Sequence, residues 1–308
     1  MRSKGLDRYW IALGLFLALL AGEGIIGLIE PFFPPVSRWP SIETDLKSRQ
    51  LSELGDSISL VFLGSSSTEA AVDSALLSEL TGYQVPYNAA VPFSSPISHE
   101  PWLSDVIFRE STPALVLIGL PIWPQRGARY LPLAKGIASA AKPIEEGILH
   151  WSALAANRGV FADLDRLRFR VLARESGLWT DLGHQTVYYD RSPGTIEGIL
   201  PEYGRPVMGD SQVEALRRIV THVRTLGSDV VLFIEPGRYA GDVAESTIAE
   251  YISWLKQLSE SLNVILWDTY SVDWDKALFT DEAHFNRDGT VAYTRYMAEL
   301  LIGRVQDG

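Results

Sequence analysis

The sequence contains no cysteine. Disulfides and thiol nucleophiles are therefore excluded, and the usual clue to redox compartment goes with them. Histidine is scarce: His99, His150, His184, His222 and His284 make up the set. None stands in an HxH or HExxH pattern, so no metal site of standard spacing is expected, and no cofactor either. Basic residues are also short, 27 Lys and Arg against 38 Asp and Glu, for a net charge of −11. Without a basic surplus to neutralise phosphates, the chain is not expected to bind nucleic acid. No internal repeat or low-complexity tract is visible. At 308 residues and 46% hydrophobic, the chain can bury one large core, or one core with a sizeable insertion.

What the sequence does have starts at its N-terminus. Residues Met1–Arg8 carry Arg2, Lys4 and Arg8, and the twenty residues Trp10–Ile29 are apolar apart from Glu23. Eleven of them are Ile, Leu or Phe. At roughly −0.3 to −0.6 kcal/mol each, these offset a penalty of about +2.5 to +3.5 kcal/mol for a central charge. Residues 9–29 therefore read as a transmembrane anchor, with 1–8 cytoplasmic and the bulk of the chain outside, periplasmic or extracellular. A cleaved signal peptide is the rival reading, against which stand the length and the lack of a small-x-small site. A buried helix of a cytosolic fold is the third. Pro31–Pro40 follows as a stiff exit, and Ser41–Asp56 as an amphipathic helix, so 30–56 reads as linker and lead-in to a domain spanning 57–308.

Within that domain, apolar runs alternate with helical stretches. Strands are expected at Ile58–Leu63, Tyr83–Asn88, Ala114–Gly119, Asp229–Glu235 and Asn263–Trp267. Helices are expected at Glu69–Leu80, His99–Glu110, Ser211–Leu226, Val243–Leu262 and Asp288–Ile302. Alternation of this kind predicts a doubly wound parallel sheet, a flavodoxin-like three-layer α/β/α sandwich. Residues 121–210 are too long for a bare connection and read as an inserted subdomain or lid with helices at Ala134–Ala156 and Phe161–Glu175. Its Trp123, Trp151, Trp179, Tyr188 and Tyr189 either stack on a substrate or pack the insertion's own core.

Two stretches carry chemistry. In Leu60–Glu69, LVFLGSSSTE, a strand stops at Gly64 and three serines precede a helix. Such a turn can hold a nucleophile, cradle a phosphate, or simply cap the helix through Ser66, Ser67 or Thr68. In Phe279–Thr290, FTDEAHFNRDGT, Asp281 and His284 are spaced so that the carboxylate can accept from one imidazole nitrogen. The other nitrogen is then free to take a proton from a hydroxyl. Glu282 is the rival carboxylate. Glu235 and Arg238, just after the fourth strand, read as a surface ion pair or as substrate contacts. His99, His150, His184 and His222 read as structural or exposed.

Taken together, these stretches resemble the SGNH (GDSL-like) hydrolase and acyltransferase superfamily. Gly64-Ser65-Ser66 matches its G-D-S block with Ser in place of Asp. This variant is similar to a membrane-anchored branch that includes proteins of alginate acetylation and teichoic acid D-alanylation. Asp281, His284, Asn286 and Gly289 match the block D-x-x-H, N-x-x-G. In the second block, Tyr87–Ser94 places Phe93 at the glycine position. In the third, G-x-N-D, Gly119 remains but the Asn is missing.

The resemblance implies Ser66 as nucleophile, His284 as base and Asp281 as orienting carboxylate, with the oxyanion held among Ser66, Phe93 and Gly119. It further implies a serine esterase or O-acyltransferase working on acyl, chiefly acetyl, esters of a surface or exported polysaccharide. A partner membrane acyltransferase is a candidate. The alternative is a non-catalytic glycan-binding or assembly protein of an export complex, which the missing Asn favours.

Overall fold

A computed structural model describes residues 42–92, 94–122, 180, 182–184, 206–237 and 245–307. The chain divides into two compact units, Met1–Leu46 with Pro132–Glu175, and Lys47–Leu131 with Ser176–Gly308. Of the first, only the start of one helix is described. Among the described residues no helix is long and apolar enough to cross a membrane. The run Trp10–Ile29, the two helices expected in the insertion, all five of its aromatics, and His150 lie outside them.

The second unit is built on five parallel strands: β1 (Leu60–Leu63), β2 (Pro86–Asn88), β3 (Leu115–Leu120), β4 (Asp229–Ile234) and β5 (Ile265–Asp268). Their order is β2-β1-β3-β4-β5, the flavodoxin order that the alternating pattern predicts. β1 and β3 are buried along their whole length. Their unbroken apolar sequences, LVFL and LVLIGL, follow from having both faces covered. Strand order reverses between β1 and β3, so the chain diverges at their C-terminal ends. A crevice there is where open α/β sheets place their ligands.

Helices run α1 (Ile42–Leu54), α2 (Ser66–Ala71), α3 (Ser74–Thr81), α4 (from Pro96–Trp102), α5 (Asp210–Thr225), α6 (Glu245–Ser261) and α7 (Arg287–Asp307). The single helix expected over Glu69–Leu80 is two. Asp73 breaks it by capping α3, its Oδ1 accepting from the amides of Ala75 and Leu76 at 3.0 and 3.2 Å. Carbonyls at the end of α2 are met by Asn88, whose Nδ2 donates to Thr68, Glu69 and Val72. α4 starts three residues earlier than expected, because Ser95 and Ser98 form a capping box with Pro96 at the first helical position. Beyond Pro101, which has no N–H, it passes through a π-helical turn at Leu103–Ile107 before ending at Phe108–Glu110.

From Lys47 on, α1, expected as an amphipathic lead-in helix, is part of the sheet unit. Lys47 and Leu51 are fully buried, and Lys47 Nζ lies 2.7 Å from Glu69 Oε1 while donating to the Ala90 carbonyl. The far end of the expected insertion also belongs to the sheet unit. The Asn88 amide donates to Leu182 O at 3.0 Å, so Leu182 covers the outer edge of β2. Gly183, at φ +80°, makes this approach feasible, since a Cβ there would stand 2.3 Å from Asn88 O. Leu182 and Gly183 thus cover part of β2's edge as a neighbouring strand would.

The core cluster under α7 joins Leu60, Phe62, Leu117, Phe233 and Phe279 to Phe285, Tyr293 and Met297. Phe285 is the residue after His284, so packing of the core fixes the end of that loop directly.

Candidate active site

β1 ends at Leu63, and the three serines that follow Gly64 have different surroundings. Ser65 and Ser67 are fully buried, whereas Ser66 is only half-buried. Ser65 is the N-cap of α2, its Oγ accepting from the Ser67 amide at 3.2 Å. The cap is thus Ser65 and not the Ser66, Ser67 or Thr68 expected from the sequence, and the Ser66 hydroxyl takes no part in capping. Ser66 occupies the first helical position, where an amide has no acceptor within its own helix. α2 is six residues long, so its dipole is small, and any oxyanion stabilisation must come mainly from individual N–H groups.

The loop before α7 is closed by backbone pairing. Phe279 bridges Phe285, the Thr280 amide donates to His284 O at 2.9 Å, and the Asn286 amide donates to Leu278 O at 2.9 Å. Asn286 then starts α7. Its Oδ1 accepts from the Gly289 amide at 3.0 Å, and its Nδ2 donates to Ala277 O at 2.7 Å. Gly289 is needed because a Cβ there would meet Leu278 O at 2.2 Å. The N-x-x-G pattern is thus a helix start that aims the loop.

On that loop, Asp281 Oδ1 accepts from the amides of Ala283 and His284, both at 2.8 Å. His284 Nδ1 lies 2.9 Å from each Asp281 oxygen, and His284 Nε2 lies 2.8 Å from Ser66 Oγ. A carboxylate can only accept, so Nδ1 is the protonated nitrogen and Nε2 presents its lone pair to the Ser66 hydroxyl. Burial alone would raise the Asp281 carboxyl. The hydrogen bond and charge of His284, with the two amides, outweigh it and hold Asp281 below its usual range. The structure thus brings Ser66, His284 and Asp281 together across 218 residues of chain. The side chains of His284 and Asp281 are 13% and 10% exposed, shielded but within reach of a substrate.

The residues expected around the oxyanion fare differently. Phe93 lies outside the described residues. Its loop is nonetheless anchored on Gly64. The Val91 amide donates to Gly64 O at 2.9 Å, and the Ser94 hydroxyl donates to the same carbonyl. Buried His99 supports Ser94, with Nε2 2.8 Å from Ser94 Oγ. Burial keeps this imidazole neutral by lowering it to about 4, against a smaller opposing effect of the Gly64 carbonyl. Gly119 sits inside β3, paired with Phe233 of β4. The space left by its missing side chain is filled, since a Cβ would stand 2.8 Å from both Glu235 Oε1 and Thr68 Oγ1. Beyond it, Leu120, Pro121 and Ile122 are buried and offer no side-chain donor.

Glu235 is the residue misjudged from the sequence. It is 2% exposed, not a surface ion-pair member, and Arg238 lies outside the described residues. Its Oε1 accepts from the Ser65 amide at 2.5 Å and the Thr68 hydroxyl at 2.7 Å, and its Oε2 from the Ser65 hydroxyl at 2.6 Å. Burial raises this carboxyl, against the lowering effect of those hydrogen bonds and of nearby His284. The signal was present: a charged residue directly ends the apolar run DVVLFI of a central strand, at the sheet's C-terminal edge.

No family model matches the sequence, and no curated protein does. Among solved structures, the chain is similar to a protein from Bacteroides fragilis described as an acylhydrolase. Identity there is 14%, covering 84% of this chain and 94% of that one, with a TM-score of 0.44. A protein of the G-D-S-L family described as lipolytic, from Desulfitobacterium hafniense, is similar at 11%, covering 78% and 98%, with a TM-score of 0.41. An acetylxylan esterase from Geobacillus stearothermophilus is similar at 14%, covering 80% and 95%, with a TM-score of 0.40.

Proposed function

We propose that the protein is a serine esterase or O-acyltransferase of SGNH type, acting on acyl esters through an acyl-Ser66 intermediate. The observation that carries this reading is the continuous relay from Asp281 through His284 to Ser66, with each link at 2.8 to 2.9 Å. His284 Nε2 takes the Ser66 proton as Ser66 Oγ attacks the ester carbonyl. The imidazolium so formed is stabilised by Asp281 and returns the proton to the leaving alkoxide. The acyl group then passes to water, or to a sugar hydroxyl, by the same steps in reverse order. The Ser66 amide is the oxyanion donor supported by position, with a second expected near Phe93.

An acetylated surface or exported polysaccharide, reached from a membrane anchor at 9–29, completes the proposal. Its support is the basic flank and apolar run at the N-terminus, and the similarity of the GSS turn to anchored acetylation proteins. A partner membrane acyltransferase would supply acyl groups if transfer dominates. The apolar end of β3 favours a slow or specialised enzyme, or the non-catalytic alternative. A fluorophosphonate probe and a chromogenic acetyl ester separate these readings. The enzyme labels and turns over, and Ser66→Ala abolishes both. No labelling or turnover in the wild type, together with glycan binding that survives Ser66→Ala, would select the binding protein instead.

A further inference from the structure

Beneath the nucleophile turn lies a carboxyl group that the relay does not use. Glu235 reaches from the end of β4 into a recess shaped by two glycines. A Cβ on Gly64 would stand 2.6 Å from Glu235 Oε1, and one on Gly119 would stand 2.8 Å from it. Three donors beside the recess converge on this carboxyl: the Ser65 amide, the Ser65 hydroxyl and the Thr68 hydroxyl. Ser65 precedes Ser66, and Thr68 follows it by two residues. The nucleophile is therefore suspended between two anchors on one rigid group, itself fixed at the edge of the sheet.

We propose that Glu235 is the positioning residue of the nucleophile turn, holding Ser66 Oγ in line with His284 through Ser65 and Thr68. This rests on the reading of Ser66 as nucleophile. Removing the carboxyl would leave a buried N–H and two buried hydroxyls without their acceptor, beside a void between two glycines. The turn would then relax, and a shift on the order of 1 Å at a reacting atom can cost about 10²-fold in rate. Gln in the same place keeps Oε1 as acceptor for the Ser65 amide and the Thr68 hydroxyl, and turns the third bond round so that Nε2 donates to Ser65 Oγ. These contacts survive, while the charge and the acceptor of the buried Ser65 hydroxyl proton are lost.

The test compares Glu235→Ala with Glu235→Gln in the full chain, by acetyl-ester kinetics and by amide hydrogen exchange across residues 60–72. Glu235→Ala is expected to lower kcat about 100-fold with KM unchanged, and to speed exchange in that segment at least tenfold. Glu235→Gln should stay within about fivefold of wild type in both. If Glu235→Ala does not fold, Thr68→Val takes its place, with kcat expected about tenfold lower at unchanged KM. A folded Glu235→Ala or Thr68→Val with wild-type kcat and exchange overturns the proposal. So does a Glu235→Gln as impaired as Glu235→Ala, because it keeps the acceptor of the Ser65 amide and the Thr68 hydroxyl, and those two bonds would then not be what holds the turn. If the wild type turns over no ester, the enzymatic reading fails, and exchange alone decides whether the clamp exists.

Discussion

Replacing Asp281 with Asn changes the charge beside His284 while leaving shape almost untouched. In the wild type the two carboxylate oxygens lie 2.9 Å from Nδ1. With charge centres about 4 Å apart in an effective dielectric of about 20, the carboxylate stabilises a developing imidazolium by about 4 kcal/mol. That corresponds to roughly 10³ in rate. A second effect acts in the same direction. The Asn carbonyl would stay on the amides of Ala283 and His284, which donate at 2.8 Å, and this turns its NH2 group toward Nδ1. The imidazole proton then moves to Nε2, which can no longer accept from Ser66. Together the two predict a loss of 10³ to 10⁴ in kcat, in line with the loss of about 10⁴ for the corresponding change in an unrelated serine protease. Because Asp281 is held below the usual carboxylate range, it stays ionised at neutral and mildly acidic pH, and the acid limb of the profile does not report it. Steady-state acetyl-ester turnover and the fluorophosphonate labelling rate measure the effect, with a cooperative melt as the folding control. A folded Asp281→Asn keeping more than a tenth of wild-type kcat would refute the assigned relay.

Two further expectations concern stability. Lys47 and Glu69 form a fully buried pair, so Lys47→Met should cost about 3 to 5 kcal/mol by urea unfolding, because it strands a buried carboxylate. Lys47→Met with Glu69→Leu should recover much of that loss, and a double variant no better than the single would refute the ion-pair account. His99 and His184 are both lowered to about 4, chiefly by burial. Groups held below their unfolded value near 6.5 contribute stability that is complete above that pH and lost as pH falls toward 4. The loss is on the order of 3 kcal/mol for each at the acid end. Asp281 acts in the same sense at lower pH and the raised Glu235 carboxyl in the opposite one. Urea midpoints should therefore fall between pH 6.5 and 5, and His99→Gln should flatten the slope; a flat wild-type profile would contradict both.

The sheet was legible because its strands are local and their burial is written in each segment. An apolar run such as LVLIG needs both faces covered wherever it lies, and helical stretches between such runs leave few topologies open. Helix ends were less legible because distant residues set them. Asp73 ends one helix and begins another with the help of Thr294, whose Oγ1 accepts the Asp73 amide 221 residues away in sequence. Likewise, α1 reads as an amphipathic lead-in helix, and only the fold reveals that Lys47 is buried against Glu69 and Ala90. Nothing around position 47 announces a carboxylate at position 69.

The same distinction divides the site. Asp281 and His284 lie three residues apart, and the partner of His284 is a serine already marked by a strand end, so the relay could be traced from two short segments. Ser66 was singled out by the likeness of Gly64-Ser65-Ser66 to a family block, but the inward contacts of Ser65 could not be traced, because the carboxyl it meets belongs to residue 235, which is 170 positions beyond Ser65. Once that carboxyl occupies the recess, Ser65 is drawn inward to it and to the Ser67 amide, and Ser66 is the serine left facing His284. An acidic residue at position 65 would put a second carboxylate beside the first in a buried space, which burial penalises strongly. Ser65 and Glu235 are therefore one choice, not two. The serine in G-S-S is what a turn requires when its carboxylate arrives from β4.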